Sequence, residues 1–286
     1  MILQDPDRFV GAVLAWGGPR LRDLPWRRTR EEWPVLVSEV MSQQTGVDRV
    51  VPKWLTFMEH FPDVGSCAAA ELGEVLALWQ GLGYPRRARN LHLTAAAVVA
   101  AGRFPRDLDG WLDLPGIGPY TARAVMAFAQ SADVAVVDTN VARILARCSS
   151  RALTAREAQA EADALVPAGD AWLWNQALMD LGATLCRARA PRCRDCPVAE
   201  QCAWRGDGEQ EDPARRTSGV SRPQGRFAGS DREARGTLMR RLVGGAVAID
   251  DIARIIEREP LVAERILSSL VADGLCVVEE NRVRLP

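Results

Sequence analysis

Four cysteines within seventeen residues, Cys186, Cys193, Cys196 and Cys202, constrain this chain more than any other feature. Their spacing, C-x6-C-x2-C-x5-C, closes residues 186–202 into a compact loop if the thiolates share a metal centre. Four thiolates can hold a 4Fe-4S cube, and one short loop supplies them all. Structural zinc sites more often show two short C-x2-C pairs, whereas here one such pair sits between longer gaps. Iron-sulfur therefore ranks ahead of zinc, and a disulfide framework comes last. Cys67, Cys148 and Cys276 lie in apolar or helical surroundings and read as buried thiols. The sequence shows no secretory signal and no apolar run long enough to span a bilayer, so the expected compartment is the cytoplasm, where thiols stay reduced and available to metal.

With 286 residues, 48% of them hydrophobic, the chain can bury a large core and divide into more than one unit. A net charge of -1 excludes an overall basic field as the source of nucleic-acid affinity, so any such affinity must come from local charge. Lys53 is the only lysine among 36 basic residues, and the arginines cluster at Arg20–Arg30, Arg86–Arg89 and Arg187–Arg194. Arginine forks pair with phosphate through two parallel hydrogen bonds, but arginine enrichment equally follows from a GC-rich coding sequence and carries little alone.

From Asp7 to about Trp204, alanine and leucine recur at three- and four-residue intervals, the pattern of an all-helical body. Helices are expected over Pro34 to Thr45, Ala68 to Gln80, Ala88 to Ala101 and Tyr120 to Gln130. Residues 206–230 shift to Gly, Pro, Ser, Arg and acidic residues, the composition of a flexible linker between a core at 1–205 and a module at 231–286. That module reads as a helix from Asp231, helices over Ile249 to Arg258 and Pro260 to Ala272, and a hairpin around Asn281. Three helices and a small hairpin resemble a winged helix, which can contact DNA or serve a structural or partner-binding role.

Three segments carry chemistry. Gly116 and Gly118 in Leu114-Pro115-Gly116-Ile117-Gly118 allow a tight turn with outward amides before a helix opening near Pro119, the makings of a phosphate-binding hairpin rather than an ordinary turn. Asp138 follows Val134-Ala135-Val136-Val137 at a helix start. There it can cap the helix for about 1 kcal/mol, or stabilise positive charge growing on a deoxyribose. Glu39 and Gln43 fall four residues apart, on one face of the helix expected from Pro34. A glutamate on such a face can form an ion pair. If it lines a base pocket instead, burial would keep it protonated and able to donate to a leaving base.

With these motifs the chain resembles the MutY-type adenine DNA glycosylases of the endonuclease III superfamily, across roughly residues 7 to 204. The matching runs include Leu24-Pro25-Trp26-Arg27, Ser38-Glu39-Val40-Met41 with Gln43-Gln44-Thr45, Gly81-Leu82-Gly83-Tyr84, Asp138-Thr139-Asn140-Val141 and Met179-Asp180-Leu181-Gly182-Ala183, besides the hairpin and the cysteines. The resemblance implies a mainly α, two-lobed helix-hairpin-helix DNA glycosylase with an iron-sulfur cluster loop, plus the small winged-helix-like module. It implies that Glu39 protonates adenine at N7, that Asp138 stabilises or captures the oxocarbenium-like sugar, and that Tyr120 and Asn140 support the site. Gln43, Gln44, Tyr84, Arg27, Gly116, Gly118 and Thr121 fall at DNA-contacting positions, and the four cysteines at ligands of the 4Fe-4S cluster. The implied substrate is adenine mispaired with 8-oxoguanine or guanine in double-stranded DNA, taken by a monomer. The resemblance is to a shortened form, expected to lack the family's Nudix-like domain.

Cleaving an N-glycosidic bond calls for one acid and one carboxylate at minimum. Adenine leaves poorly as an anion, so a positioned glutamate favours release of a purine over uracil. Relatives that also cut the strand use a lysine in the hairpin helix. Tyr120 stands at that position, and the expectation is a monofunctional hydrolase. The alternatives are a thymine or uracil mismatch glycosylase acting opposite guanine, and a non-catalytic damage sensor in which Asp138 only caps its helix.

Overall fold

The computed structural model describes residues 5–206, 211–217 and 225–286. It is mainly helical, and its first eleven α-helices are α1 (Pro6–Gly17), α2 (Glu32–Ser42), α3 (Val47–His60), α4 (Val64–Ala69), α5 (Leu72–Leu78), α6 (Arg86–Ala101), α7 (Leu108–Leu112), α8 (Pro119–Ala129), α9 (Thr139–Ser149), α10 (Ala155–Asp163) and α11 (Ala171–Thr184). Then come α12 (Asp231–Val243), strand β1 (Val247–Ala248), α13 (Ile252–Ile256), α14 (Pro260–Ala272), and strands β2 (Val277–Glu279) and β3 (Arg282–Arg284).

The starts of these helices follow from local chemistry. Asp5 caps α1 ahead of Pro6, Asp63 with Ser66 and Thr154 with Glu157 form capping boxes at α4 and α10, and Pro119 opens α8. Two expected helices end differently. The one expected over Ala68 to Gln80 is two helices, because Ala70 and Glu71 turn extended and the Ala70 carbonyl accepts from His92 Nε2 at 3.0 Å. The one expected to reach Thr45 stops at Ser42, so Gln43 lies beyond the helix that carries Glu39, and the two do not share one helical face.

The chain packs into two compact units. The first comprises the described residues of Met1–Glu32, Arg106–Leu108 and Gly118–Pro223. Its centre is α9, buried along Val141–Cys148, against which α11 packs. The close approach depends on small residues: a Cβ at Gly182 would lie 2.4 Å from Asn140 Cβ, and one at Gly17 of α1 would lie 2.3 Å from Ala177 Cβ on α11. The extended stretch before α9 has no ladder partner, and Asn175 supplies its hydrogen bonds. The Asn175 Oδ1 accepts from the Val136 N–H at 2.8 Å, and its Nδ2 donates to the Val134 carbonyl at 2.9 Å.

The second unit comprises Trp33–Pro105, Asp109–Ile117 and the described residues of Gln224–Pro286. Its core joins α2, buried from Trp33 to Met41, to an aromatic cluster of Trp33, Phe57, Phe61 and Trp79. The segment expected as a module, 231–286, lies within this unit. Its strands form an antiparallel sheet in the order β1-β3-β2, with Val283 of the central strand paired to Val247 and to Val278. The unit is closed at Gly73, whose N–H donates to the Pro286 carbonyl at 3.0 Å.

Of residues 206–230, expected as a linker, 207–210 and 218–224 lie outside the described residues. Between them Pro213–Arg216 forms a 3-10 helix with Ala214 buried, and Asp212 pairs with Arg147 at 2.6 Å. A buried arginine on α9 thus gives this polar stretch an anchor that its composition does not advertise.

Candidate active site and cysteine loop

Asp138 is the N-cap of α9, and its two carboxylate oxygens are used differently. Oδ1 accepts the peptide N–H groups of Asn140 and Val141 at 2.8 and 2.7 Å, while Oδ2 accepts from the Asn140 side-chain amide at 2.8 Å. One oxygen therefore caps the helix and the other is held by a single side chain, so capping does not consume the carboxylate. Burial pushes the Asp138 carboxyl above the usual aspartate range, against the pull of the three hydrogen bonds and of Arg143. The Asn140 Oδ1 accepts from Arg143 Nη2 at 2.7 Å, and Arg143 donates onward to the carbonyls of Gly182 and Cys186, each at 2.8 Å. A continuous hydrogen-bonded path runs from the carboxylate to the first cysteine of the loop. Tyr120 lies half-buried in the first turn of α8 of the same unit.

In the second unit Glu39 is buried on α2, between Ser38 and Val40, which are buried as well. Beyond α2, Gln44 has φ 54° and Tyr84 has φ 49°, left-handed conformations that cost of order 1 kcal/mol each and persist only where surroundings impose them. Arg87 imposes them. Its Nη1 donates to the carbonyls of Val40, Met41 and Gln43, and its Nη2 to those of Leu82 and Gly83 and to Thr45 Oγ1, at 2.6 to 3.1 Å. One guanidinium thereby ends α2 and ties the Gln43–Gln44 turn to the Tyr84 loop, both of which stay accessible. Burial lowers the Arg87 pKa to about 10, well above neutrality, so it remains a cation.

The glycine hairpin begins in this unit. Gly116 has φ 75°, and a Cβ there would lie 2.4 Å from the Asn90 amide, so both the turn and the packing require glycine. Gly118 is the N-cap of α8 with open space around its Cα, which leaves the backbone free to approach a ligand closely.

The four cysteines line one cavity of about 270 Å³, walled by Ile144, Leu181, Leu185, Val198 and Trp204. Among the described residues no three His, Cys, Asp or Glu converge closely enough to hold a single metal ion; the thiols ring the cavity instead. Arg147 sits at its base. It donates to Cys186 Sγ at 3.3 Å and to the Arg187 carbonyl at 2.8 Å, and it stacks on Trp204. The Cys202 thiol is drawn down to about 6, chiefly by a hydrogen bond with the buried Cys148, whereas burial raises Cys196 to about 11. Gly206 borders Cys193: a Cβ there would lie 3.0 Å from its Sγ.

Comparison with known proteins shows the family. The chain is 44% identical over 274 residues to an adenine DNA glycosylase of Mycolicibacterium smegmatis, covering 92% of this chain and 90% of that protein. The chain belongs to the adenine DNA glycosylase family. A human adenine DNA glycosylase is 40% identical over 220 residues, covering 71% of this chain and 40% of the human protein. Residues 37–168 match the family described as HhH-GPD superfamily base excision DNA repair protein. Among solved structures, a thermostable thymine-DNA glycosylase superposes with a TM-score of 0.65 at 28% identity, over 70% of this chain and 96% of that one. A non-covalent endonuclease III-DNA complex gives 0.62 at 22% identity, over 71% and 98%, which speaks of the fold alone.

Two of the residues expected at DNA-contacting positions, Arg27 and Thr121, have buried side chains. Arg27 is turned inward: its side chain is 7% exposed and grips Asp180 with both terminal nitrogens, at 2.8 and 2.9 Å. Asp180 is wholly buried on α11 and needs that partner, so Arg27 holds the fold and does not face solvent. Thr121 is likewise buried, in the first turn of α8. Of the three arginine clusters, Arg22, Arg27 and Arg87 are spent on internal bonds, while Arg20, Arg28, Arg30 and Arg86 stay exposed, as do Arg187, Arg189, Arg192 and Arg194. Arg87, Arg143 and Gly182 were not singled out by motif reasoning. All three lie inside or beside the matching runs, but their partners are set by tertiary structure.

Proposed function

We propose that this member of the adenine DNA glycosylase family hydrolyses the N-glycosidic bond of adenine mispaired with 8-oxoguanine or guanine in duplex DNA. The observation that carries the reading is the 44% identity to an adenine DNA glycosylase across 92% of the chain. Glu39 is the acid: it protonates N7 as the bond between C1′ and the base breaks, so adenine leaves neutral with the bonding electrons. A general acid of this kind contributes about 10²- to 10⁴-fold. Asp138, held by Asn140 and the α9 amides, stabilises the cationic sugar. Water then adds at C1′ and its proton restores Glu39.

Tyr120 supplies no amine, and Lys53 Nζ, in the second unit, donates to the Leu78 carbonyl, which supports a hydrolase without a Schiff-base step. The Gln43–Gln44 turn and Tyr84, exposed on strained backbone, are the groups we assign to the duplex around the opposing base. Gly116 and Gly118 are assigned to phosphate.

The donor set of Cys186, Cys193, Cys196 and Cys202 fits a 4Fe-4S cluster better than one zinc ion, because the thiols surround a cavity rather than meet at a point. When bound, the cluster supplies a rigid cross-link of residues 186–202, from which Arg187, Arg189, Arg192 and Arg194 reach solvent toward phosphate. No helix among the described residues is long and apolar enough to cross a membrane. Action on chromosomal DNA accords with a cytoplasmic monomer.

The likeness to a thymine-DNA glycosylase at 28% identity is the specific support for the rival substrate. Base release from A:8-oxoguanine, A:G, T:G and U:G duplexes separates the two. Adenine alone should be released, faster opposite 8-oxoguanine, and release of only thymine or uracil would overturn the proposal.

A further inference from the structure

Tyr84 is contacted from two sides by arginines from different parts of the second unit. The Arg87 guanidinium lies 5.5 Å from its ring centroid, and Arg232 of α12 reaches its hydroxyl at 3.5 Å. Arg232 is itself fixed by the Gly225 carbonyl at 2.7 Å. Two residues past Tyr84, Arg86 pairs with Asp273 at the end of α14, and the same carboxylate holds Arg235 of α12. Asp273 is nearly buried, while Arg86 is 68% exposed. One turn further along α6, Arg89 packs on Gly274, where a Cβ would lie 2.7 Å from its Nε. Residues 225–286 thus hold the loop and the start of α6 through one buried carboxylate, one glycine and one arginine.

The charges of this segment favour such a role over nucleic-acid reading. Residues 225–286 hold ten arginines and ten acidic residues. Arg235, Arg254, Arg258, Arg265 and Arg284 are in ion pairs within the segment. A phosphate-reading module needs unspent positive charge on one face. The helix that would enter a groove, α14, instead starts after Glu257 and Glu259.

We propose that residues 225–286 position the Tyr84 loop, through Asp273 with Arg86 and through Arg232, and so set discrimination between partner bases opposite adenine. The proposal rests on the assignment of Tyr84 to the duplex. Asp273 and Arg232 are positioning residues and touch no reacting atom.

The chain has two tyrosines, Tyr84 and Tyr120, so full-length protein labelled with 3-fluorotyrosine gives two fluorine resonances, assigned with Tyr84→Phe. Arg86→Ala, a change at an exposed side chain, should move the Tyr84 resonance and leave that of Tyr120 in place. The ratio of single-turnover rates for A:8-oxoguanine over A:G should change by about fivefold, with the rate on A:8-oxoguanine itself unchanged. Asp273→Asn should reproduce both effects, and Asp273→Glu should restore them in part. An unmoved Tyr84 resonance overturns the proposal, as does a moved resonance with an unchanged ratio. Wild-type protein that releases no adenine would instead refute the underlying assignment, and the fluorine result would then report on the loop alone.

Discussion

Gly182→Ala tests how the helix crossing holds Asp138, the carboxylate proposed as catalytic. The new methyl would sit 2.4 Å from Asn140 Cβ, inside the distance any real contact reaches, and a tight 3.1 Å from its Cα, and both of those atoms belong to the first turn of α9. Relief to ordinary contact needs movement of about 1 Å, and the mobile partner is the turn that carries Asp138. The cost in stability should be about 1–3 kcal/mol, the usual penalty of overpacking. The cost in rate should be on the order of 100-fold, since a misplacement of that size removes the 2.8 Å bond from Asn140 to Asp138 Oδ2. Gly17→Ala is the matched control. It meets Ala177 Cβ at 2.3 Å in the middle of α11, more than one turn before Gly182 and clear of α9, so it should lower the melting temperature comparably and leave the rate intact. Both proteins would be compared by thermal unfolding and single-turnover adenine release. Equal rates for Gly182→Ala and wild type, or equal rate losses for the two variants, would refute the reasoning.

Four further outcomes are expected. Because burial raises the Asp138 pKa and catalysis needs its anion, the acid limb of the rate profile should fall above the ordinary aspartate range. A limb at or below that range in a pH-rate series would count against the assignment. The same raised pKa means that ionisation costs stability at neutral pH, so Asp138→Asn should unfold no earlier than wild type while losing activity. For Asp180 the sign is opposite. Burial raises its pKa, but Arg27 and Arg22 outweigh that and hold it low, so its contribution is present above the unfolded pKa and lost as pH falls through the folded one. Asp180→Asn should therefore cost about 3–5 kcal/mol at pH 7, with the gap from wild type narrowing in acid unfolding curves. Finally, Arg189→Ala in the cysteine loop should weaken duplex binding and reduce the slope of log affinity against log salt by about 1, read by fluorescence anisotropy.

The local signals were legible because they are short-range. Asp138 before α9 and Thr154 three residues before Glu157 satisfy the first amides of a helix with their own atoms, and Pro119 after two glycines fills a first-turn position where a missing N–H costs nothing, so each sits where it must. The helical class follows from periodicity in the same way. What the sequence hides is the choice of partner for a long side chain. Arg27 stands in a motif and looks like a phosphate contact, yet Asp180, far along the chain, claims it. Arg87 decides where α2 ends, a fact that no propensity around Ser42 encodes, and so Glu39 and Gln43 are separated by the end of a helix. The split at Ala70 has the same origin, since His92 takes a carbonyl that a continuous helix would have used. Strand β1 is two residues long and acquires its pairing only from β3.

The most direct test of the chemistry is single-turnover adenine release from an A:8-oxoguanine duplex by wild type, Glu39→Gln and Asp138→Asn, with binding to the same duplex measured alongside. The expected result is retained binding in all three and a loss of release of about 100-fold or more in each variant. Adenine release by Glu39→Gln at the wild-type rate would contradict protonation by Glu39, and with it the mechanism proposed for this chain.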